Sequence, residues 1–326
     1  MDAVLKIVQT VNMYLSDYIL IIMLIGCGLY FSIRTKFVQV RCFGEGWRKV
    51  FGNFSLHGGK HEGGMSSFQA LATAIAAQVG TGNIVGACGA ILVGGPGAIF
   101  WMWMSAFFGM ATIYAEATLA QNYKTVKHGE VTGGPVYYIH AAFKGLFGKI
   151  LGVIFAIFLI LALGFMGNMV QSNSIGDAFK GAFGINPLFV GIAVAILAAF
   201  IFLGGIGRIA SVTEKLVPIM AGFYIIGALV LIIMNIGNLP NVIRMIFVGA
   251  FNPEAAIGGF AGVAVSQAIK YGVARGLFSN EAGMGSTPHA HAVAKVKHPC
   301  DQGLVAMMGV FIDTLIILNL TAFAVM

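Results

Sequence analysis

The amino-acid sequence predicts an all-α polytopic membrane protein, because its composition, hydropathy and apolar segments all favour this fold class. Hydrophobic residues make up 58% of the 326 residues and charged residues only 10%, whereas soluble domains carry about a quarter charged residues. The mean hydropathy of +0.89 suits a surface that faces lipid. Eight apolar segments approach or exceed the roughly 20 residues of a transmembrane helix, and they are 16–33, 66–93, 97–121, 150–179, 188–206, 213–236, 258–297 and 302–326.

The basic residues between these segments predict the orientation. Cytoplasmic loops of membrane proteins carry an excess of Lys and Arg, and an outside N-terminus places 14 of the 19 basic residues on the cytoplasmic side. Because the basic residues lie mostly in these loops, membrane topology explains the net charge of +7, and no nucleic-acid partner is predicted. No small-residue cleavage site follows the first apolar segment, so we expect it to be retained as a span. The sequence therefore predicts a multi-pass protein of the inner (plasma) membrane.

Cysteine and histidine spacing predicts no cofactor and no metal other than a transported cation. Cys27, Cys42, Cys88 and Cys300 show no CxxC or His-paired spacing, so neither a metal site nor a disulfide framework is indicated. The last apolar segment runs to Met326 without a polar flank, and we expect the chain to be a truncated form of a longer protein.

Two predicted spans contain stretches that a regular helix disfavours. The second span includes Gln78–Asn83, in which two glycines stand beside Thr and Asn; the seventh includes Phe278–Ser286, with Pro288 beyond it. Glycine costs about 1 kcal/mol relative to alanine inside a helix. Unwound backbone at membrane depth is tolerated where it lines a cavity or is buried in protein, and a pair of interrupted spans indicates the binding site of a secondary transporter.

The alternative for glycines in membrane helices is close helix packing. We favour packing for Gly86, Gly89, Gly94, Gly95 and Gly97. For the stretch 80–83 we favour a binding site, because lipid would penalise its Asn and Thr. Glu116 and Asp313 lie inside predicted spans, where acids are functional candidates by default, but the sequence assigns them no role.

Several stretches resemble the alanine/glycine:cation symporter family of the amino acid–polyamine–cation superfamily. They are Gly80–Gly86, Gly94–Trp103, Gly167–Gln171 and Phe278–Ser286. The resemblance runs along essentially the whole chain and implies sodium-coupled symport of a small neutral amino acid, alanine or glycine, with H⁺ as a possible replacement for Na⁺.

The family resemblance also implies a leucine-transporter-like fold of two inverted five-helix repeats. On that map, 16–33 is an extra leading helix, 66–236 is the first repeat and 258–326 is a partial second repeat, truncated after its second helix. The whole of 1–326 is then one transmembrane domain, and its oligomeric state is left open.

The same resemblance suggests roles for individual residues. The N–H groups of Gly80, Thr81 and Gly82 would bind the substrate carboxylate, with sodium held by the Asn83 side chain and the carbonyls of Ala76 and Val79. From the other repeat, Ser279 and Asn280 would approach the ammonium group. Asn168 and Gln171 share one helix face at i, i+3 and would line the site together with Phe165. The alternative for Asn168 and Gln171 is hydrogen bonding between helices without a ligand, and the alternative for Phe165 is a lipid-facing or packing surface.

Three rival functions stay open at this point. A channel needs a continuous polar pore, whereas the sequence has two isolated breaks. An enzyme needs converging catalytic groups, and no HExxH or GxSxG motif is present, so we predict no enzymatic activity. The third rival is an inactive or partner-dependent fragment.

Overall fold

The computed structural model describes residues 2–52, 65–127, 129–251 and 261–326, and most of them are α-helical. Apart from the single helical turn Val38–Arg41, the helices are α1 (Val4–Arg34), α2 (Phe43–Phe51), α3 (Ser67–Gln78), α4 (Gly82–Gly94), α5 (Gly97–Asn122), α6 (Pro135–Ala142), α7 (Leu146–Phe183), α8 (Pro187–Phe202), α9 (Gly205–Met234), α10 (Leu239–Phe251), α11 (Ala261–Asn280), α12 (Pro288–Val293) and α13 (Pro299–Val325). One antiparallel hairpin, β1 (Thr125–Lys127) with β2 (Glu130–Thr132), follows α5. The predicted all-α fold class is confirmed.

Several helices have the length and composition of membrane spans. Among the described residues, α1, α5, α7, α9 and α13 qualify singly, and α3 with α4 qualifies as a pair bent by 50°. The chain is thus a polytopic membrane protein. The predicted span 188–206 corresponds to α8, which has only 16 residues, and the first residues of the predicted span 258–297 lie outside the described ranges.

Helices α5 and α13 form the centre of the molecule. In the most apolar 18-residue stretch of each helix, 50% of α5 and 67% of α13 is buried inside the protein. The corresponding fractions are 6% for α7 and 11% for α9. On α5, Ile99, Met102 and Ile113 are fully buried. The apolar side chains of α7 and α9 are largely exposed, and a surface of that size needs lipid or protein to cover it.

Close helix packing explains two of the five glycines for which it was predicted. A Cβ at Gly97 would lie 2.2 Å from the backbone carbon of Gly249, and one at Gly94 would lie 3.2 Å from Ala268 Cα. Gly95 forms a turn with φ +71°. At Gly89 an added Cβ would meet nothing within 4 Å, so packing is the wrong explanation there. At Gly86 an added Cβ would meet only the Thr81 carbonyl oxygen at 3.9 Å, so close packing does not require glycine there either.

Some elements escaped the sequence analysis because they are short. Helix α10 has 13 residues and α2 has nine, too few to span a bilayer. The predicted interruption of the seventh span is present, and it separates α11, with 20 residues, from α12, with six.

Candidate functional site

The first interrupted span breaks between α3 and α4. Helix α3 starts with a capping box, in which Ser66 and Gln69 satisfy each other's backbone N–H groups, and it ends at Gln78. Val79 follows with extended backbone at φ −78° and ψ 100°, and α4 resumes at Gly82 with a π-helical turn. The predicted interruption at 78–83 is confirmed.

Asn83 occupies this break. Its side chain is 1% exposed, and its Oδ1 accepts a hydrogen bond from the Gly80 N–H at 2.9 Å. The Thr81 N–H donates to Gln171 Oε1 at 3.4 Å. Two of the three amides predicted to bind a carboxylate are therefore engaged within the protein, and the oxygen predicted to bind sodium accepts from Gly80.

The second interrupted span breaks after α11. Residues 281–287 are irregular, and Glu281, Gly283 and Gly285 have positive φ angles of 56°, 91° and 75°. The Gly283 N–H donates to Glu116 Oε2 of α5 at 3.0 Å, and Ser286 Oγ donates to Glu281 Oε2. Although Gly283 is exposed, this hydrogen bond joins the irregular segment to Glu116 of α5.

The two breaks lie against each other. Gln78 Nε2 donates to the carbonyl oxygen of Asn280 at 2.7 Å. A Cβ at Gly82 would lie 3.0 Å from Ser279 Cα, closer than real Cβ contacts usually come. Glycine at position 82 therefore favours this close approach of the two backbones.

A buried polar network fills the junction between the breaks and α13. Asn83 Nδ2 donates to Ser279 Oγ at 2.9 Å and to Asp313 Oδ1 at 2.7 Å. Ser279 Oγ and Thr314 Oγ1 donate to Asp313 Oδ2 at 2.9 and 2.8 Å, and Asn280 Nδ2 donates to Thr314 Oγ1 at 3.3 Å.

Asp313 has no cationic partner within the described part of the chain. Its side chain is fully buried, and none of the described Lys, Arg or His side chains forms an ion pair with it. A buried carboxylate is costly unless a proton or a cation compensates its charge. Carboxylate and hydroxyl oxygens are the ligands that hard cations prefer, so this network has the chemistry of a small-cation site.

A cavity of about 710 Å³ opens beside the two breaks. The predicted site residues that line it are Ala76, Val79, Gly80, Gly82, Asn168 and Gln171. Four others, Thr81, Asn83, Ser279 and Asn280, lie next to it through the hydrogen bonds described above. Phe165 is not among the lining residues, and its side chain is 59% exposed, so the structure does not bring it to the site.

Two of the residues that line this cavity carry buried polar atoms without partners. Gln78 and Thr287 are each 3% exposed and line the cavity, and Gln78 Oε1 and Thr287 Oγ1 lack any hydrogen-bond partner. Glu281 lines it as well. Buried polar atoms of this kind are rare in proteins and are suited to a polar ligand.

Sequence analysis assigned no site role to Gln78, Thr287 or Asp313. Gln78 stands inside the predicted break, which was a usable signal. Asp313 carried only the general signal of an intramembrane acid. The described residues contain no cluster of three or more His, Cys, Asp or Glu that is placed to hold a metal ion.

Comparison with known proteins decides the family. The model of the sodium:alanine symporter family matches residues 1–326. The chain belongs to this family. The resemblance inferred from the motifs is thereby confirmed, and a symporter family is a family of transporters and not of enzymes.

Relatives in the family differ in the substrates that their names state. The chain is 47% identical to the sodium/alanine symporter AgcS of Methanococcus maripaludis over 97% of its length and 69% of the relative's. It is 46% identical to YrbD of Bacillus subtilis, a putative sodium/proton-dependent alanine carrier, over 98% and 63%. It is 43% identical to GlnT of Bacillus subtilis, a probable sodium/glutamine symporter, over 98% and 65%. The chain thus spans about two thirds of the length of these relatives.

Proposed function

We propose that this symporter-family chain couples Na⁺ to the transport of a small neutral amino acid, alanine or glycine, by alternating access. The observation that carries the proposal is the junction of two interrupted helices at a buried, uncompensated Asp313. Membrane transporters use such breaks because the free backbone groups of half-helices bind charged ligands without covalent chemistry.

The sodium ion is assigned to the network around Asp313. The carboxylate of Asp313 and the hydroxyl groups of Ser279 and Thr314 lie within hydrogen-bond distance of one another, so a small cation between them would have several oxygen ligands. Its charge would compensate the buried carboxylate. The carbonyls of Ala76 and Val79, on the cavity side of the break, stay candidates for a second ion.

The amino acid is assigned to the adjoining cavity. The backbone of Gly80 and Gly82 and the side chain of Gln171 line it on one side, where N–H groups at the start of α4 favour a carboxylate. Gln78 and Thr287 also line the cavity, and their unpartnered oxygens would accept hydrogen bonds from the ammonium group once the side chains turn toward it. One cavity thereby offers groups for both charges of a zwitterion.

Coupling between ion and substrate follows from the two ends of the Asn83 amide. Its Oδ1 now accepts from the Gly80 N–H, while its Nδ2 faces Asp313. When a cation binds next to Asp313, the electropositive Nδ2 is repelled and Oδ1 turns toward the ion. The Gly80 N–H is then released for the substrate carboxylate, so sodium binding raises the affinity for the amino acid.

The architecture that we propose for this mechanism is the leucine-transporter-like inverted repeat. Helices α3 to α9 would form the first repeat, while α11 to α13 would begin the second, and α1 would lead as an extra helix. An inner-membrane location with the N-terminus outside fits the distribution of basic residues. The contact of the two breaks is the arrangement that such a pair of repeats requires.

Uptake into proteoliposomes tests the proposal. We expect purified protein to accumulate labelled alanine above equilibrium when an inward Na⁺ gradient is imposed, and not when K⁺ replaces Na⁺. A matched H⁺ gradient identifies the coupling ion. Labelled glycine, serine and glutamine in parallel assays determine the substrate.

The outcomes separate the rival functions. Passive equilibration without accumulation indicates a channel and contradicts coupled transport. Absence of flux, together with an unchanged melting temperature in Na⁺ and alanine, contradicts the proposed binding sites and favours an inactive or partner-dependent chain.

A further inference from the structure

A second cavity lies at the end of the first span, away from the transport site. It has a volume of about 430 Å³ and is bounded by the end of α1, by α2, and by residues of α5 and α13. Arg34, Lys36 and Arg41 line it. No residue of the proposed transport site belongs to it, so its function is independent of the transport proposal.

The charges around this cavity are predominantly positive. Glu45 and Asp301 also line it, but Lys49 bridges both acids at 3.5 and 3.0 Å. The hydrogen bond that Lys49 donates to Asp301, together with the negative charges of Asp301 and Glu45, raises the pKa of Lys49 above its usual value, so Lys49 stays protonated and compensates these acids. Arg34, Lys36 and Arg41 form no ion pair within the described residues.

The cavity lies at the level of the membrane surface. Arg34 is the last residue of the apolar helix α1, and Asp301 belongs to the first turn of α13, so two spans end at this level. Helix α2 begins beside the cavity and exposes Trp47 and Phe51, which are 42% and 41% exposed. A short helix with basic and aromatic faces is typical of the interface between water and lipid.

The three basic residues that line this cavity surround a turn with an unusual backbone conformation. Lys36 and Phe37 are consecutive non-glycine residues with φ angles of 54° and 53°. Left-handed backbone at such residues costs about 1 kcal/mol or more each, and an Arg41 Nη2 hydrogen bond to the Thr35 carbonyl at 3.3 Å spans the turn. The turn holds three cationic side chains around one cavity although their repulsion and the strain oppose it.

We propose that this cavity binds the phosphate group of an anionic phospholipid. Guanidinium groups match phosphate oxygens in geometry and charge. Basic pockets beside transmembrane helices bind anionic headgroups, and the exposed Trp47 and Phe51 would contact the acyl chains of the same lipid. A solvated basic face would give no reason for the strained turn that gathers three cationic side chains, whereas a bound lipid phosphate would offset their mutual repulsion.

Native mass spectrometry of the delipidated full chain tests this site. The protein is titrated with phosphatidylglycerol, with phosphatidylcholine of the same acyl chains, and with inorganic phosphate. We expect tightest binding of phosphatidylglycerol and a loss of roughly fivefold in affinity for each basic group removed. Arg34→Gln and Arg41→Gln are the variants, and Lys180→Gln, an exposed lysine on α7, is the matched control.

Each comparison has an outcome that overturns the proposal. Equal affinity for the two lipids would show that the negative charge of the headgroup does not contribute to binding. Displacement of phosphatidylglycerol by inorganic phosphate at similar concentrations identifies a free-phosphate site instead. An equal loss in Lys180→Gln assigns the effect to net charge. The wild-type titrations alone decide the question if the variants do not purify.

Discussion

The side-chain amide of Asn83 donates to the carboxylate of Asp313 across 2.7 Å, which joins the first interrupted span directly to α13. The two residues are 1% and 0% exposed and lie 230 positions apart in the sequence. Because the amide supplies only a partial positive charge, the carboxylate stays uncompensated. This contact is the best place to test for a bound cation.

Replacing Asp313 by Asn should weaken the response to sodium without unfolding the protein. The substitution keeps the shape and removes the buried charge, so the melting temperature in sodium-free buffer should be unchanged or higher. We expect the half-maximal sodium concentration for alanine uptake to rise about tenfold or more, since the charged ligand is lost. Sodium titrations of uptake and of the melting temperature measure both effects.

The control for this variant is Asp177→Asn. Asp177 is an exposed acid on α7 that accepts a hydrogen bond from Asn173, so its replacement removes the same charge outside the network. An unchanged sodium titration in Asp313→Asn would exclude Asp313 from the cation site.

Gly82→Ala should separate the two breaks. The new Cβ would press on Ser279 Cα at 3.0 Å, and backbone cannot yield as a flexible side chain can. Overpacking of this kind costs about 1 to 3 kcal/mol. Gly89→Ala in the same helix meets nothing within 4 Å and should be stable, and thermal unfolding in detergent compares the two. Equal stability of both variants would mean that the breaks do not pack this closely.

The sequence was sufficient to locate both breaks but not to describe what joins them. Glycine, Thr and Asn at 80–83 disfavour helix through local effects, which short stretches of sequence reveal. The partnership of Asn83 with Asp313 depends on the packing of α13 against the breaks, a long-range relation with no sequence periodicity. The failed prediction for Phe165 has the same cause. Phe165 was placed at the site because it is close in sequence to Asn168 and Gln171, but sequence proximity does not determine which way its side chain points, and it is largely exposed.

Glu116 should hold the irregular segment 281–287 in place. Its Oε2 accepts the Gly283 N–H at 3.0 Å, and Glu116→Ala would remove this hydrogen bond at a cost of about 1 kcal/mol, because water can reach the exposed Gly283. Glu116→Gln keeps an acceptor oxygen and should preserve most of the stability. Hydrogen exchange of peptides covering 281–287 should accelerate in the Ala variant and much less in Gln. Equal acceleration in both would indicate that the carboxylate charge matters rather than the hydrogen bond.

The ion pair between Lys49 and Asp301 should stabilise the folded protein only while Lys49 is protonated. Its pKa is raised above the unfolded value of about 10.4, so the contribution is complete below that pH and is lost as the pH rises through the raised pKa. Both side chains are partly exposed, at 28% and 30%, which limits the effect to about 1 kcal/mol or less. The difference in melting temperature between wild type and Lys49→Gln should therefore be constant from pH 7 to 9 and vanish above the folded pKa. A difference that persists at higher pH would assign the effect to packing.

The final prediction separates two residues that the sequence placed in the same pocket. Gln171 lines the cavity and accepts from the Thr81 N–H at 3.4 Å, whereas Phe165 on the same helix is 59% exposed. Gln171→Ala removes a polar group at the substrate cavity, so the KM for alanine should rise about tenfold, as expected for one lost hydrogen bond to a charged group. Phe165→Ala should leave the KM unchanged, because its side chain does not reach the cavity. Kinetics of alanine uptake at saturating sodium give both values. A larger effect in Phe165→Ala than in Gln171→Ala would mean that the substrate binds on the outer face of α7 and not between the two breaks.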